Sequence, residues 1–251
     1  MNYILGDIGN TLTKVCLVNY NYKIIKEYSI ETKKLFKEKN ILNFFNPFLK
    51  KNIDKILFSS VVPNAYKKIE IFFKKKKIYC NEIKKLPLNK LIKINIDHYN
   101  QLGSDRIANA IGAVSQRRSN VIIIDFGTAT TFDIVKKAGI YEGGVIAPGI
   151  KLSIINLSKN TAALPIFSLR KDAKVFGKNT KDALNAGFLY GYQGLINNII
   201  MKISHKLNIN FKIILTGGYA NMFNKFLEKK SVVDKNITIK GIMFIHKKLV
   251  K

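Results

Sequence analysis

Tryptophan is absent from this sequence, cysteine occurs only twice, and acidic residues are outnumbered by basic ones, 16 to 43. Each shortage excludes something. Cys16 and Cys80 are far apart and lack the CxxC spacing of a zinc or redox site. They are expected to be buried or half-buried thiols in a reducing cytosol. No segment approaches the ~20 apolar residues needed to span a bilayer. The N-terminus reaches Asp7 without a basic region followed by an apolar one. The expectation is therefore a cytoplasmic protein with no membrane partner. His98, His205 and His246 form no metal pattern and are expected to be surface or satisfied histidines. A GxSxG elbow, a GxxxxGK[ST] loop and a GxGxxG loop are all missing, which disfavours a serine hydrolase, a P-loop and a Rossmann dinucleotide site.

What is present is an ordinary globular composition: 251 residues, 47% hydrophobic and 24% charged. That length suits one large domain or two of ordinary size, with a core that needs no disulfide or metal. The formal charge of +27 invites a nucleic-acid reading. Only four basic residues are arginine, however: Arg106, Arg117, Arg118 and Arg170. The rest are lysines spread along the chain among many Asn and Ile, which reads as a compositional bias and not a selected patch. The run Lys74–Lys77 reads as a solvated helix end. No RNP-like segment or zinc finger is present, so no specific nucleic-acid partner is expected.

Along the chain, strands are expected at Tyr3–Ile8, Thr13–Val18 and Lys23–Ile30. A helix over Thr32–Leu49, broken before Pro47, should follow. Then come a strand at Ile56–Val62, a helix at Ala65–Phe73, a short strand at Ile78–Asn81 and a helix at Arg106–Val114. The pattern restarts with strands at Val121–Ile124, Thr130–Val135 and Tyr141–Ile146. Helices at Gly149–Leu157 and Thr180–Leu207, a strand at Lys212–Thr216, and helices at Tyr219–Lys229 and Gly241–Leu249 complete the reading. Asp7 and Asp125 are 118 residues apart, and the same offset places Gly9 on Gly127 and Thr13 on Thr131. This is an architectural repeat of two α/β halves, with a boundary near Ser115–Asn120.

Two turns carry the most chemistry. In Asp7-Ile8-Gly9-Asn10-Thr11-Leu12-Thr13-Lys14, glycine permits close backbone approach to a phosphate. Hydroxyls and amides can bond its oxygens, Lys14 can offset its charge, and Asp7 can hold Mg²⁺. Such a turn alone reads sooner as a hairpin. A second copy, Asp125-Phe126-Gly127-Thr128-Ala129-Thr130-Thr131-Phe132-Asp133, suggests that two turns grip one nucleotide. Between them lies Gly103-Ser104-Asp105-Arg106, at the start of an expected helix. Asp105 can accept a hydroxyl proton and Arg106 can clamp an anion; Ser104 or Asp105 can equally be a helix cap. Glu142–Gly149, a strand between turn glycines, reads equally as structure or ligand contact. Gly217-Gly218 after a buried strand lets the backbone approach a flat ligand such as adenine. Thr180, opening a helix after Gly177-Lys178-Asn179, is either a cap or a contact.

Taken in order, these motifs resemble the type III pantothenate kinases of the acetate and sugar kinase, Hsp70 and actin superfamily. The match runs from Asp7…Lys14 through Gly103–Arg106 and Asp125…Asp133. It continues through Gly143-Gly144…Pro148-Gly149, Thr161-Ala162…Leu164-Pro165, Asn179-Thr180 and Gly217-Gly218, so it covers essentially the whole chain. The segment Asp97–Leu102 lacks the Pro often found after the family's Tyr, and Phe126 replaces a usual small residue. The resemblance implies an α/β fold of two duplicated ribonuclease H-like (actin-like ATPase) domains, mixed sheets flanked by helices, at residues 1–115 and 116–251. It implies transfer of the ATP γ-phosphoryl group to the 4′-hydroxyl of pantothenate, opening coenzyme A synthesis. By the same resemblance, Asp7, Ile8, Gly9, Asn10, Thr11, Leu12, Thr13, Lys14 and Thr128 bind ATP, and Asp105 is the proton acceptor. Tyr99, Gly103, Ser104, Asp105, Arg106 and Thr180 contact pantothenate. Asp125 helps hold a monovalent cation, K⁺ or NH₄⁺, beside Mg²⁺-ATP, and the protein is a homodimer. The alternatives are another small-molecule kinase of the superfamily, a non-catalytic accessory or regulatory protein retaining the fold, and a charge-driven nucleic-acid binder.

Overall fold

The computed structural model describes residues 1–116 and 119–250. In chain order the elements are β1 (Asn2–Ile8), β2 (Leu12–Asn19), β3 (Ile24–Glu31), α1 (Glu38–Leu49), β4 (Ile53–Ser60), α2 (Pro63–Lys75), β5 (Tyr79–Glu82), β6 (Lys93–Ile94) and α3 (Ser104–Gln116). Then follow β7 (Val121–Phe126), β8 (Ala129–Lys136), β9 (Ile140–Pro148), α4 (Ile150–Lys159), α5 (Thr180–Leu207), β10 (Lys212–Gly217), α6 (Ala220–Phe223), β11 (Ser231–Val233) and α7 (Ile237–Ile245). The chain forms two compact units, Met1–Arg118 with Ala138–Tyr141 and Asn236–Lys251, and Ser119–Lys137 with Glu142–Lys235. The halves expected from sequence, 1–115 and 116–251, are contiguous. The first compact unit is not, because the C-terminal segment returns to it.

In the first unit the sheet order is β3-β2-β1-β4-β5. β1 is antiparallel to β2 and parallel to β4, and β5 is parallel to β4. Tyr3, Ile4 and Leu5 are consecutive buried residues, as in a central strand covered on both faces. β3 instead shows mostly exposed, charged residues, which suits an edge strand. Ile4, Ile8, Val15, Leu17, Ile56 and Phe58 face α1 and α2, which contribute Phe45, Phe48, Phe72 and Phe73. Helix α3 lies against β4, and α7 against β1 and β4. α3 and α7 cross with their backbones touching. A Cβ on Gly241 would collide with the Ala108 carbonyl, and one on Gly112 with the Ile237 carbonyl. Thr238 Oγ1 donates to Asn109 Oδ1 across this crossing, at 2.7 Å.

The sheet of the second unit repeats the pattern in the order β9-β8-β7-β10-β11. β7 is antiparallel to β8 and parallel to β10, which is parallel to β11. The first residues of β9, Ile140 and Tyr141, belong to the first unit and pair there with Lys93 and Ile94 of β6. Ile122, Ile124, Phe132, Ile213 and Leu215 pack with Ile154 of α4 and Leu189, Ile196 and Ile200 of α5. Two mixed sheets of the same strand order, flanked by helices, make this the duplicated actin-like ATPase fold.

The structure corrects the reading in detail. The helix expected over Thr32–Leu49 is a 3₁₀ segment, Thr32–Phe36, followed by α1. The break is at Lys37, in extended conformation, while Pro47 lies inside the last turn of α1. The helix expected over Tyr219–Lys229 is only the single turn α6. β11 was not expected, being too short for its alternation to register. The last helix begins four residues before Gly241, because that glycine is an interior crossing point and not a boundary.

Candidate active site

The first loop joins the ends of β1 and β2. Asp7 sits opposite Lys14 on β2 and Ser59 on β4, and the Gly9 N–H donates to the Leu12 carbonyl at 3.1 Å. Asn10, Thr11 and Leu12 at the tip are exposed, whereas Ile8 and Thr13 are buried. Thr13 Oγ1 is 2.9 Å from Thr32 Oγ1, which donates to the Gly9 carbonyl at 2.6 Å. The Thr13 side chain therefore braces the loop from below, and the Thr32 N–H holds the Thr11 carbonyl at 3.0 Å. Lys14 Nζ is 3.0 Å from Glu27 and donates to Asn236 Oδ1 at 2.8 Å, so the ammonium is already positioned.

The Gly103–Arg106 segment begins α3 beside that loop. The Ile8 carbonyl accepts from the Val61 N–H at 3.0 Å, and the Val61 side chain lies against Gly103. Loop and helix start thus share the carboxyl edge of parallel strands β1, β4 and β5, where open α/β sheets place ligands. Asp105 is half-buried, and its carboxylate accepts the Arg106 N–H at 2.8 Å. Desolvation pushes its carboxyl above the ordinary carboxylate range, and hydrogen bonding and charge from Arg106 pull only partly back. The Arg106 guanidinium lies 6.0 Å from the centre of the Tyr141 ring, at the outer reach of a cation–π contact. Ser104 is buried and donates to Glu82 Oε1 at 2.6 Å, so its hydroxyl points into the fold. Tyr99, on a 3₁₀ turn, is 38% exposed and lies beneath the Lys84 ammonium at 5.5 Å. Lys84 also donates to the Leu102 and Asn100 carbonyls at 2.8 and 3.2 Å. Sequence reasoning overlooked Glu82 and Lys84, which sit in a lysine-rich stretch with no motif around them.

In the second unit Asp125 ends β7 opposite Thr131 and Thr216. The Gly127 N–H donates to the Ala129 carbonyl at 3.1 Å, making this loop one residue shorter than the first. The register therefore equates Thr13 with Thr130, not with Thr131. Phe126 points into the core and stacks on Phe223 at 5.3 Å. Thr128 is exposed at the tip. Gly217, at φ +84°, brings β10 close: a Cβ there would lie 2.7 Å from Asp125 Oδ1 and 2.6 Å from the Phe126 carbonyl oxygen. This glycine thus serves the packing of the Asp125 oxygens. Thr180 is the first residue of α5, but the cap is Asn179, whose Oδ1 accepts the Asp182 N–H at 2.9 Å. Thr180 remains exposed on the rim of an apolar groove of about 580 Å³, lined by Leu157, Leu164, Leu184, Phe188 and Leu195 among others. The first unit therefore gathers Asp7–Lys14, Tyr99 and Gly103–Arg106, while Asp125, Thr128 and Thr180 belong to the second.

The model of the type III pantothenate kinase family matches residues 3–202. This chain belongs to the type III pantothenate kinase family. A relative named type III pantothenate kinase from Pelagibacter ubique is 49% identical over 96% of both chains. Another, from a Sulfurihydrogenibium species, is 36% identical over 96% of this chain and 98% of its own. Among solved structures, one described as a Baf family transcriptional activator from Campylobacter jejuni superposes with a TM-score of 0.62 at 23% identity, covering 97% of each chain. The activator of 2-hydroxyisocaproyl-CoA dehydratase from Clostridium difficile, solved with bound ADPNP, gives 0.53 at 9% identity, over 97% of this chain and 92% of that one. At those identities the two structures speak for the fold alone.

Proposed function

We propose that this chain phosphorylates pantothenate at its 4′-hydroxyl with ATP, the step that opens coenzyme A synthesis. One observation carries the reading: in a member of this family, a carboxyl of raised proton affinity, Asp105, stands beside Arg106 at the strand edge that also bears the Asp7 loop. Arg106 holds the pantothenate carboxylate, and Tyr99, Thr180 and the backbone of Gly103 and Ser104 complete the substrate contacts, the Ser104 hydroxyl being turned to Glu82. The Asp7–Lys14 loop and Thr128 hold the nucleotide. Asp105 takes the hydroxyl proton as the new O–P bond forms and the bond from the γ-phosphorus to the ADP oxygen breaks. Such transfers proceed largely by positioning and charge stabilisation.

Mg²⁺ accompanying a nucleotide needs only one or two protein carboxylates. Asp7, near the end of β1 at the root of the phosphate loop, would be that carboxylate beside the phosphates. Around Asp125, a carboxylate oxygen and the Phe126 carbonyl oxygen border the space that a Cβ at Gly217 would fill. Those hard oxygens suit K⁺ or NH₄⁺, which would offset phosphate charge when bound. The apolar groove along α5 supports a homodimer. Gly187 and Gly191 line it, and a Cβ at either would meet nothing within 4 Å, so a second copy can approach closely. Two free thiols suit the cytoplasm, and no helix among the described residues is long and apolar enough to cross a membrane.

The test is ADP release measured with and without pantothenate, in potassium and in sodium buffer. Turnover should require pantothenate and should fall in sodium alone. Turnover that ignores pantothenate but responds to a sugar would overturn the substrate, and equal rates in the two buffers would remove the cation role of Asp125.

A further inference from the structure

Glu82 ends β5 and is only 8% exposed. Its Oε1 accepts from Ser104 Oγ at 2.6 Å, and its Oε2 from the Lys84 N–H at 2.7 Å. The Ser60 backbone also hydrogen-bonds this carboxylate. One carboxylate thus ties the end of β4, the end of β5 and the first residue of α3. Two residues on, Lys84 Nζ binds the carbonyls of Asn100 and Leu102 and covers the Tyr99 ring. The Glu82–Lys84 strap therefore grips residues 99–104 at both ends. Burying this carboxylate is costly, and desolvation raises its proton affinity. A packed apolar residue would stabilise β5 more simply. What the carboxylate adds is a short, charge-assisted hydrogen bond to the residue immediately before Asp105.

We propose that Glu82 and Lys84 are positioning residues for phosphoryl transfer, Glu82 setting Asp105 through Ser104 and Lys84 setting Tyr99. The inference rests on Asp105 being the base. Small displacements of a reacting group cost rate, with about 1 Å worth as much as 10²-fold.

The experiment is steady-state kinetics of the full-length protein, with ATP-analogue affinity measured separately. Glu82→Gln and Ser104→Ala should each lower kcat about tenfold at unchanged analogue affinity. The double variant should be no slower than the slower single one, because both remove one contact. Ser104→Thr, which keeps the hydroxyl, should restore most of the rate. Lys84→Met should raise KM for pantothenate about tenfold with a smaller change in kcat. Wild-type kcat in Glu82→Gln or Ser104→Ala, additive losses in the double variant, or an unchanged KM in Lys84→Met would overturn the corresponding role. If Glu82→Gln fails to fold, the contrast between Ser104→Ala and Ser104→Thr still decides. Asp105→Asn separates the two levels of the argument. Full turnover there would sink the base and its positioning together, whereas an inactive Asp105→Asn beside a fully active Glu82→Gln would sink the positioning alone.

Discussion

At Asp105 the burial that raises the carboxyl's proton affinity also weakens the fold. Its folded-state affinity for a proton is raised above the unfolded one. Between the two pKa values the native state binds more protons, so stability falls as pH rises through that window. With Asp105 as the proposed base, activity runs the other way, since it must be ionised to accept the hydroxyl proton. Asp105→Asn should therefore lose roughly 10²–10⁴ in kcat while keeping ATP affinity. In thermal melts it should match or exceed wild type at pH 8, with the difference vanishing under acid conditions. A variant markedly less stable than wild type at pH 8 would contradict this reading. The acid limb of the wild-type kcat profile should lie above the range of an ordinary exposed carboxylate. At this scale the sequence was legible where residue type and order coincide: Asp7, Asp105, Arg106 and Asp125 stand at strand ends or a helix start. It was silent on Glu82 and Lys84, whose meaning lies in partners 16 to 22 residues away.

At the scale of elements, the strands were readable because β-branched runs end at Asp-Gly turns, and α5 was readable because its ends are marked by Asn179 and Asn208. The crossing of α3 and α7 was not, since it depends on two glycines 129 residues apart finding each other. Gly217 offers a test of how loops are held. Gly217→Ala would place a side chain at positive φ and press on Asp125, costing about 1–3 kcal/mol. Chemical denaturation should show the loss, and the potassium concentration giving half-maximal activity should rise; an unchanged midpoint in both would argue against the packing role. On α5, Gly187→Arg would fill the apolar groove with a charged side chain. With the proposed homodimer, sedimentation should show a dimer for the wild type and a monomer for this variant, and an unaltered dimer would move the interface elsewhere.

For the whole molecule, the +27 charge bears on how substrates arrive. ATP and pantothenate are both anions, and a strongly basic protein attracts them over distances comparable to the screening length, about 10 Å at 0.1 M salt. With potassium held constant and a larger inert salt varied from roughly 0.05 to 0.3 M, kcat/KM should fall several-fold while kcat holds; a salt-independent kcat/KM would show that the charge plays no part in capture. The return of the chain end to the first unit has a different consequence. α7 follows the second unit in sequence, yet it packs on α3, the helix that begins beside Asp105. During synthesis, β1 to β5 leave the ribosome well before α7, which with α3 packs on their sheet, and the strands of the second unit come between. A chain released before residue 236 would therefore carry all the motif residues without the helix that packs against α3.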